Sequence, residues 1–190
     1  VCKQSLMPIM SKTGYVYCVQ PKTAITLIDV LNWSIDHPEM PKIELKNQDL
    51  QGLDFEYLNL SNSDFRGANF DTATKISNAN FTRANLSNAD LSGKDITGTI
   101  LTGADLSRTN LAGVDLSGKD LTGTRLVGVD LSGQDISDTI LTGANLSNAI
   151  LTGADLTNAV LTGAILTGAD LENAVLTGAI LNCVGHPICV

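Results

Sequence analysis

The chain has 190 residues, with 20 acidic and 12 basic side chains and a formal net charge of −8 at pH 7. This acidity argues against a protein that wraps nucleic acid with a basic surface. No run approaches the roughly 18 to 20 apolar residues that a membrane-spanning helix requires, so we expect no membrane span. Only 4 % of the residues are aromatic, which predicts an aliphatic core, and two histidines leave little for acid–base chemistry.

Residues 1–42 carry no repeat and are predicted to form an N-terminal cap. Residues 14–19 (Gly-Tyr-Val-Tyr-Cys-Val) favour a short strand. Thr23 is a suitable N-cap for a helix over about 23–37, which has apolar residues on one face and ends before Pro38. The open first coil of the repeat region that follows would need such a cap. Binding of a partner through this segment is the alternative.

The chain begins with Val and Cys rather than with Met, so we expect it to be processed or to carry foreign residues before Met10. No signal peptide is visible in the first residues. A cytoplasmic location and an exported one, in a periplasm or a lumen, are equally compatible with this beginning.

Most of the chain follows a period of five residues. Large aliphatic or Phe residues recur at every fifth position from Leu45 to Phe70, and again from Ile76 to Leu181. One extra residue within 71–75 separates the two series. Two positions before each central residue the side chain is usually small, and one position before it Asp or Asn is commonest. Ser or Thr usually follows the central residue, and Gly or Asn comes next.

A period of five matches neither the 3.6 residues of a helical turn nor the two-residue alternation of a strand. Each unit must therefore hold a short extended piece and a turn, and the units must close on themselves as a coil. Gly, Asn and Asp suit the turn because they tolerate a positive φ. The high content of Gly, Thr, Asn and Asp disfavours a helix, so the region is predicted to be an all-β solenoid.

Units such as 104–108 (Ala-Asp-Leu-Ser-Arg) and 154–158 (Ala-Asp-Leu-Thr-Asn) resemble the pentapeptide-repeat family, whose units follow the pattern A-(D/N)-L-x-x. The resemblance covers residues 43–182. It implies a right-handed quadrilateral β-helix with four units per coil and about seven coils. In that fold the central residue and the small residue two before it point inward. At the ~4.8 Å spacing of neighbouring strands, the rod would be roughly 34 Å long.

Long polar side chains occupy the inward small positions of Lys94, Lys119 and Gln134, each in the setting S-G-(K/Q)-D-(L/I). A buried and unpaired ammonium is costly, so we expect both lysines to snorkel or their coils to loosen locally. The extra residue within 71–75 is expected to form a bulge at a corner of the coil.

The four cysteines lie two at each end of the chain, and residues 183–190 form a short tail that is expected to cap the last coil poorly. Because a disulfide needs Cα atoms within about 7 Å, only Cys2–Cys18 and Cys183–Cys189 remain as candidate intramolecular pairs. An oxidising compartment would let them form, whereas a reducing cytosol would leave four thiols. Two cysteines and one histidine in the tail lack a fourth ligand for zinc, so no metal site is predicted.

If residues 20 apart stack, the position before each central residue can be followed along four columns of the rod. Apolar residues stand at several positions where Asp or Asn is usual, and six of them form the candidate interface: Ile100, Ile140, Val160, Ile180, Ile165 and Val175. The first four share one column, which we call the apolar column. Exposed apolar patches often mark contact surfaces. The alternative explanation is that β-branched residues simply suit short strands.

The neighbouring column is acidic, and we call it the aspartate column: Asp95, Asp115, Asp135 and Asp155. After Arg125 the chain has no Lys or Arg, so the negative charge is concentrated in the C-terminal part. Carboxylates ~4.8 Å apart repel by only about 1 kcal/mol in water, so we expect a solvated acidic face without a bound cation.

The predicted function is a non-catalytic structural or protein-interaction module that binds itself or another protein through a face of the solenoid. No Gly-rich phosphate loop and no Ser/His/Asp or Cys/His arrangement with a pocket indicates an enzyme, and no cofactor is predicted. The resemblance implies an alternative, since some pentapeptide-repeat proteins are acidic, DNA-mimicking rods that inhibit type II topoisomerases and confer quinolone resistance. The expected partner is therefore a protein or a second copy, with a topoisomerase as the alternative and no direct binding of nucleic acid.

Overall fold

The computed structural model describes residues 7–10, 16–19 and 43–189. Near the N-terminus, strand β1 (Met7–Met10) pairs antiparallel with strand β2 (Val16–Val19). The register sets Met7 opposite Val19, so the two strands form a hairpin.

The N-terminal predictions are described only in part. Strand β2 lies within the strand predicted over 14–19, whereas the strand β1 was not predicted. The helix predicted over 23–37 lies outside the described residues, and the role of 1–42 as a cap stays a prediction. Among the residues that the structure does describe, we find no helix that could span a bilayer.

From residue 43 onward the chain winds into a solenoid held by parallel β-bridges. Bridges typically join residues 20 apart, as between Ile140 and Val160, so four pentapeptides make one turn. Bridges that span 71–75 join residues 21 apart, as between Asp54 and Lys75. The extra residue therefore lies at a corner, as the sequence predicts. Over residues 43–189 no strand extends beyond a single bridged residue.

A typical five-residue unit combines one bridged residue with a tight corner. In one such unit, the Leu146 N–H donates to the Ile165 carbonyl in the next coil at 2.8 Å. Asn145 Oδ1 accepts the Ser147 N–H at 3.0 Å, which makes an Asx turn. This bond explains why Asp or Asn precedes the central residue. Asn148 then turns the corner at a φ of 57°, in the left-handed region that Asn tolerates.

The interior is filled by the central residues and the small residues that precede them. In the C-terminal coils Leu156 and Leu166 are fully buried, and so is Ala164. The first coils instead bury a cluster of four phenylalanines with ring centroids 5.4 to 6.3 Å apart: Phe55, Phe65, Phe70 and Phe81. The prediction of a purely aliphatic core is therefore wrong for these coils, because the few aromatic residues are concentrated there.

Lys94 is buried and hydrogen-bonded inside the corner that holds the extra residue. Its side chain is 5 % exposed, and Nζ donates to the Thr74 carbonyl at 3.0 Å and to the Asp71 carbonyl. Thr74 Oγ1 lies 2.8 Å from the Leu50 carbonyl and 2.7 Å from Asp71 Oδ1. Burial lowers the pKa of Lys94, and the Asp71 and Asp90 carboxylates partly oppose this. The prediction that Lys94 snorkels is therefore wrong, because carbonyl groups within the coil satisfy its ammonium.

Lys119 and Gln134 also hydrogen-bond to backbone carbonyl groups. Lys119 Nζ donates to the Ile96 carbonyl at 2.9 Å, and Gln134 Nε2 donates to the Leu111 carbonyl at 3.3 Å. Both side chains are half-buried, and each acceptor is the central residue 23 positions earlier. Each of these inward side chains thus donates a hydrogen bond to a carbonyl of the preceding coil.

The expected loosening of these coils is visible in the bridges. In the described part of the chain, Asp95 and Asp115 are the positions of their column that form no bridge. Lys94 Nζ accordingly occupies the Thr74 carbonyl, which the Asp95 N–H would meet in a regular ladder. We attribute the gap at Asp95 to this competition for the Thr74 carbonyl.

Candidate functional site

The apolar column presents exposed side chains on one face of the solenoid. Ile100, Ile140 and Ile180 are between 40 % and 51 % exposed. Val160 bridges both Ile140 and Ile180, and its side chain is half-buried. Asp120 is exposed between Ile100 and Ile140, so the continuous part of the column runs from Ile140 to the C-terminal end.

The remaining two residues of the candidate interface flank the apolar column in the last coils. Ile165 lies on one neighbouring column and Val175 on the other, and both are exposed. The structure adds Val184, which bridges Ile165 and is 55 % exposed. The sequence pattern missed Val184, because this bridge joins residues 19 apart and the tail no longer follows the period.

The aspartate column lies beside the apolar column and is solvated. Asp95, Asp115 and Asp135 are exposed and Asp155 is half-buried. Hydrogen bonds from the side chain, and then from the backbone N–H, of the residue two positions later lower the pKa of each carboxyl. The Ser117 hydroxyl, for example, donates to Asp115 Oδ1 at 2.7 Å. These bonds favour the ionised form of each carboxyl, although neighbouring aspartates in the column oppose the shift.

Basic and acidic residues pair only in the first part of the solenoid. Arg66 Nε lies 2.9 Å and 3.0 Å from the two oxygens of Asp64, and Arg125 Nε lies 3.4 Å from Asp105 Oδ2. Beyond Arg125 the sequence offers no Lys or Arg. The apolar residues of the last coils therefore share their faces with unneutralised carboxylates.

The described residues contain no group of three or more His, Cys, Asp or Glu side chains that could hold a metal ion. The interior of the solenoid is occupied by packed aliphatic and aromatic side chains.

The C-terminal end is closed by a loop that we call the end cover, residues 182–189. A disulfide joins Cys183 to Cys189, one of the two candidate pairs, so these sulfurs are not thiolate ligands for zinc. Ile188 and Cys189 pack against the hydrophobic core. The inward side chains of the last coil nevertheless stay half-buried, so the tail covers them only in part. The other candidate pair, Cys2–Cys18, lies outside the side chains that the structure describes.

Comparison with protein families assigns the solenoid. The model of the family described as "Pentapeptide repeats" matches in 8 copies, over residues 43–74, 72–103, 79–118, 104–143, 120–153 and 154–184. The chain belongs to the pentapeptide repeat family. The recognition made from the five-residue units is confirmed. No curated protein sequence matches the chain significantly.

Solved structures of other pentapeptide repeat proteins are similar to this one. HetL, involved in heterocyst differentiation regulation in the cyanobacterium Nostoc sp. strain PCC 7120, is 29 % identical, with 77 % of this chain and 75 % of HetL covered and a TM-score of 0.33. Rfr23 from the cyanobacterium Cyanothece 51142 is 34 % identical, with 73 % and 91 % covered and a TM-score of 0.26. QnrB1, a plasmid-mediated fluoroquinolone resistance protein, is 19 % identical, with 74 % and 82 % covered and a TM-score of 0.39.

Proposed function

We propose that this pentapeptide repeat protein is a non-catalytic interaction module that binds a protein surface through the apolar column. The observation that carries the proposal is the exposure of Ile140 and Ile180 at positions where the repeat otherwise places Asp or Asn. Monomeric proteins rarely expose contiguous apolar surface without a partner. Ile165, Val175 and Val184 extend this surface around both corners of the last coils.

The partner we favour first is a second copy of the chain, because most soluble oligomers are symmetric and two-fold dimers are the commonest. Unlike a surface of Asp and Asn, an apolar column can pack against itself. The proposal takes the family's right-handed rod of about seven coils as its frame, with the apolar column as one long side. Another protein is the second kind of partner that the same surface would fit.

The test is the molar mass in solution of the parent and of an Ile140→Asp/Ile180→Asp variant, measured by light scattering. We expect a dimeric parent and a monomeric variant with unchanged circular dichroism. Asn110→Asp is the matched control, because Asn110 is exposed at the same repeat position on the opposite column. A parent that is monomeric at all concentrations, or a variant that remains dimeric, would contradict self-association through this column.

A second candidate function rests on the aspartate column. Its carboxylates stay ionised at neutral pH and no Lys or Arg follows Arg125, so one face offers a row of negative charges with the coil spacing. The family resemblance suggests a type II topoisomerase as the target, with the acidic rod occupying its DNA site. A gyrase supercoiling assay tests this, with a variant that carries Asn at the four column positions as control. Absence of inhibition at micromolar protein argues against it.

A further inference from the structure

We propose that the Cys183–Cys189 disulfide is a site of thiol–disulfide exchange, at which a dithiol reductant releases the end cover from the solenoid. The proposal does not depend on what the faces of the solenoid bind. It rests on how the end cover is attached, on what lies beneath it and on which sulfur a reductant can approach.

The first part of the end cover is firmly attached to the coil before it. The Val184 N–H donates to the Ala164 carbonyl at 2.9 Å, and the Val184 carbonyl accepts the Leu166 N–H at 2.8 Å. Gly185 follows at a φ of 86°, and a Cβ there would lie 3.0 Å from the Thr167 backbone nitrogen. This close approach fixes residues 183–185 against the preceding coil.

The second part, residues 186–189, has no such attachment. Within the described chain its hydrogen bonds stay inside the loop, from the Cys189 N–H to the His186 carbonyl at 3.0 Å and from the Ile188 N–H to His186 Nδ1 at 3.3 Å. The disulfide and the apolar packing of Ile188 and Cys189 are therefore what hold this segment on the core.

The end cover lies on the last apolar layer of the solenoid. Leu171, Leu176 and Leu181 occupy central positions but are only half-buried, whereas the residues 20 positions earlier, such as Leu156 and Leu161, are fully buried. Ile188 and Cys189 pack against the same core cluster. Release of residues 186–189 would therefore expose more of this apolar layer, at the end where Ile180 and Val184 are already exposed.

The burial of the two sulfur-bearing residues favours attack at Cys189. Cys183 is buried at 7 % exposure, whereas Cys189 is half-buried near the chain end. A thiolate of the reductant forms a bond to Cys189 Sγ, the disulfide bond breaks, and Cys183 leaves as a thiolate that takes up a proton. The second thiol of the reductant then attacks the reductant's own sulfur in this mixed disulfide and frees Cys189. Two electrons and two protons reach the protein, and the reductant becomes a disulfide.

The first measurement asks whether the exchange takes place in the folded protein. In a Cys2→Ser/Cys18→Ser background, Cys183 and Cys189 are the cysteines whose alkylation is measured. We expect dithiothreitol in native buffer to make both thiols available to iodoacetamide, with each alkylation seen as a mass increase. A disulfide that stays intact until denaturant is added would overturn the proposal.

The second measurement asks whether reduction releases the cover, by hydrogen exchange and mass spectrometry of the same background. A disulfide that closes a loop with a sequence separation of 6 favours the closed loop over the open one by a factor of roughly 50, because it removes chain entropy from the open state. We expect exchange at Ile188 and Cys189 to accelerate by about 10- to 100-fold on reduction, while Leu121 and Leu126 in the middle coils serve as the internal control and do not change. Cys183→Ser/Cys189→Ser should reproduce the reduced pattern. Equal exchange in both redox states would overturn the proposal.

Discussion

The middle coils and the C-terminal coils share the five-residue repeat but differ in the residue at the small inward position. From Ala144 to Ala179 each small inward position is Ala. Between Lys94 and Thr139 these positions instead carry Lys, Thr, Val or Gln, with Ala104 as the exception. Both regions keep Leu or Ile at the central position. The comparison isolates the effect of the small inward residue on how closely successive coils approach.

The bridges follow this difference. From the pair of Asp120 and Ile140 onward each successive position pairs with the next coil, whereas Asp95 and Asp115 remain unbridged. In the middle coils Thr99 and Thr109 add side-chain bonds to the Ile76 and Leu86 carbonyls, beside ladder bonds that remain in place. Ala at the small inward position thus accompanies a regular backbone ladder, and in the middle coils Lys94 takes one carbonyl of that ladder with its side chain.

The largest expected loss in the free energy of unfolding comes from creating a cavity in each region. Leu116 and Leu156 are both fully buried central residues. We expect Leu156→Ala to cost about 3–5 kcal/mol and Leu116→Ala about 2–3 kcal/mol, because a loosely laddered coil can collapse around the lost volume. Urea unfolding followed by circular dichroism measures both. Equal costs would show that the missing bridges do not make the middle coils more adaptable.

A smaller effect is expected from removal of the buried ammonium in the middle coils. Lys94→Met keeps most of the side-chain volume but leaves the Thr74 carbonyl without its donor, whereas the Asp71 carbonyl keeps the Thr74 N–H at 3.1 Å. Unsatisfied buried acceptors should cost about 1–3 kcal/mol in the free energy of unfolding. Lys119→Met is the matched control and should cost less, because Lys119 is half-buried and donates to one carbonyl. A greater loss for Lys119→Met would contradict this interpretation.

The sequence predicts well which repeat positions lie inside the solenoid, at its corners and on its faces. The five-residue period places Leu146 and Ala164 inside, Asn148 at a corner and the extra residue within 71–75, because each follows from local spacing. It also places Ile140 and Ile180 on one column once four units close a turn. Their exposure then follows from geometry, since the residue before each central one points outward.

The sequence does not predict contacts between coils. The acceptors of Lys94 and Gln134 lie 20 to 23 positions earlier, so identifying them requires the stacking distance as well as the repeat. The burial of Val160 between two exposed neighbours depends on the same stacking. Val184 bridges Ile165 beyond the end of the five-residue period, so no local pattern in the sequence predicts this contact.

The regular C-terminal coils end where Gly185 approaches Thr167, and a methyl group tests that contact. In Gly185→Ala the new Cβ would lie 3.0 to 3.1 Å from Thr167 backbone atoms, at a φ of 86°. We expect a loss of about 1–2 kcal/mol, seen as faster hydrogen exchange at Leu166 and Val184. Gly153→Ala is the control, because Gly153 has a φ of 67° but nothing within 4 Å of an added Cβ. Unchanged exchange in Gly185→Ala would mean that the close approach does not hold the tail.

The smallest effect concerns charge at the boundary between the two regions, where Asp135 bridges Asp155 but not Asp115. Hydrogen bonds from Ser137 lower the pKa of Asp135 below its usual 3.8. A carboxyl with a depressed pKa in the folded state stabilises the fold above the pKa of the unfolded chain, and this contribution is lost as pH falls through the folded value. Asp135→Asn should therefore lower the urea midpoint slightly near neutral pH and not in acid well below 3.8.

Asn145→Ala provides the comparison that separates charge from the hydrogen bond itself. Asn145 Oδ1 accepts the Ser147 N–H at 3.0 Å in the regular coils, as Asp135 Oδ1 accepts the Ser137 N–H at 2.9 Å. Because an amide does not titrate, the loss in Asn145→Ala should be the same at neutral and acid pH. If Asp135→Asn shows no pH-dependent loss, the charge of this carboxylate adds no net stability, because repulsion within the aspartate column cancels its benefit.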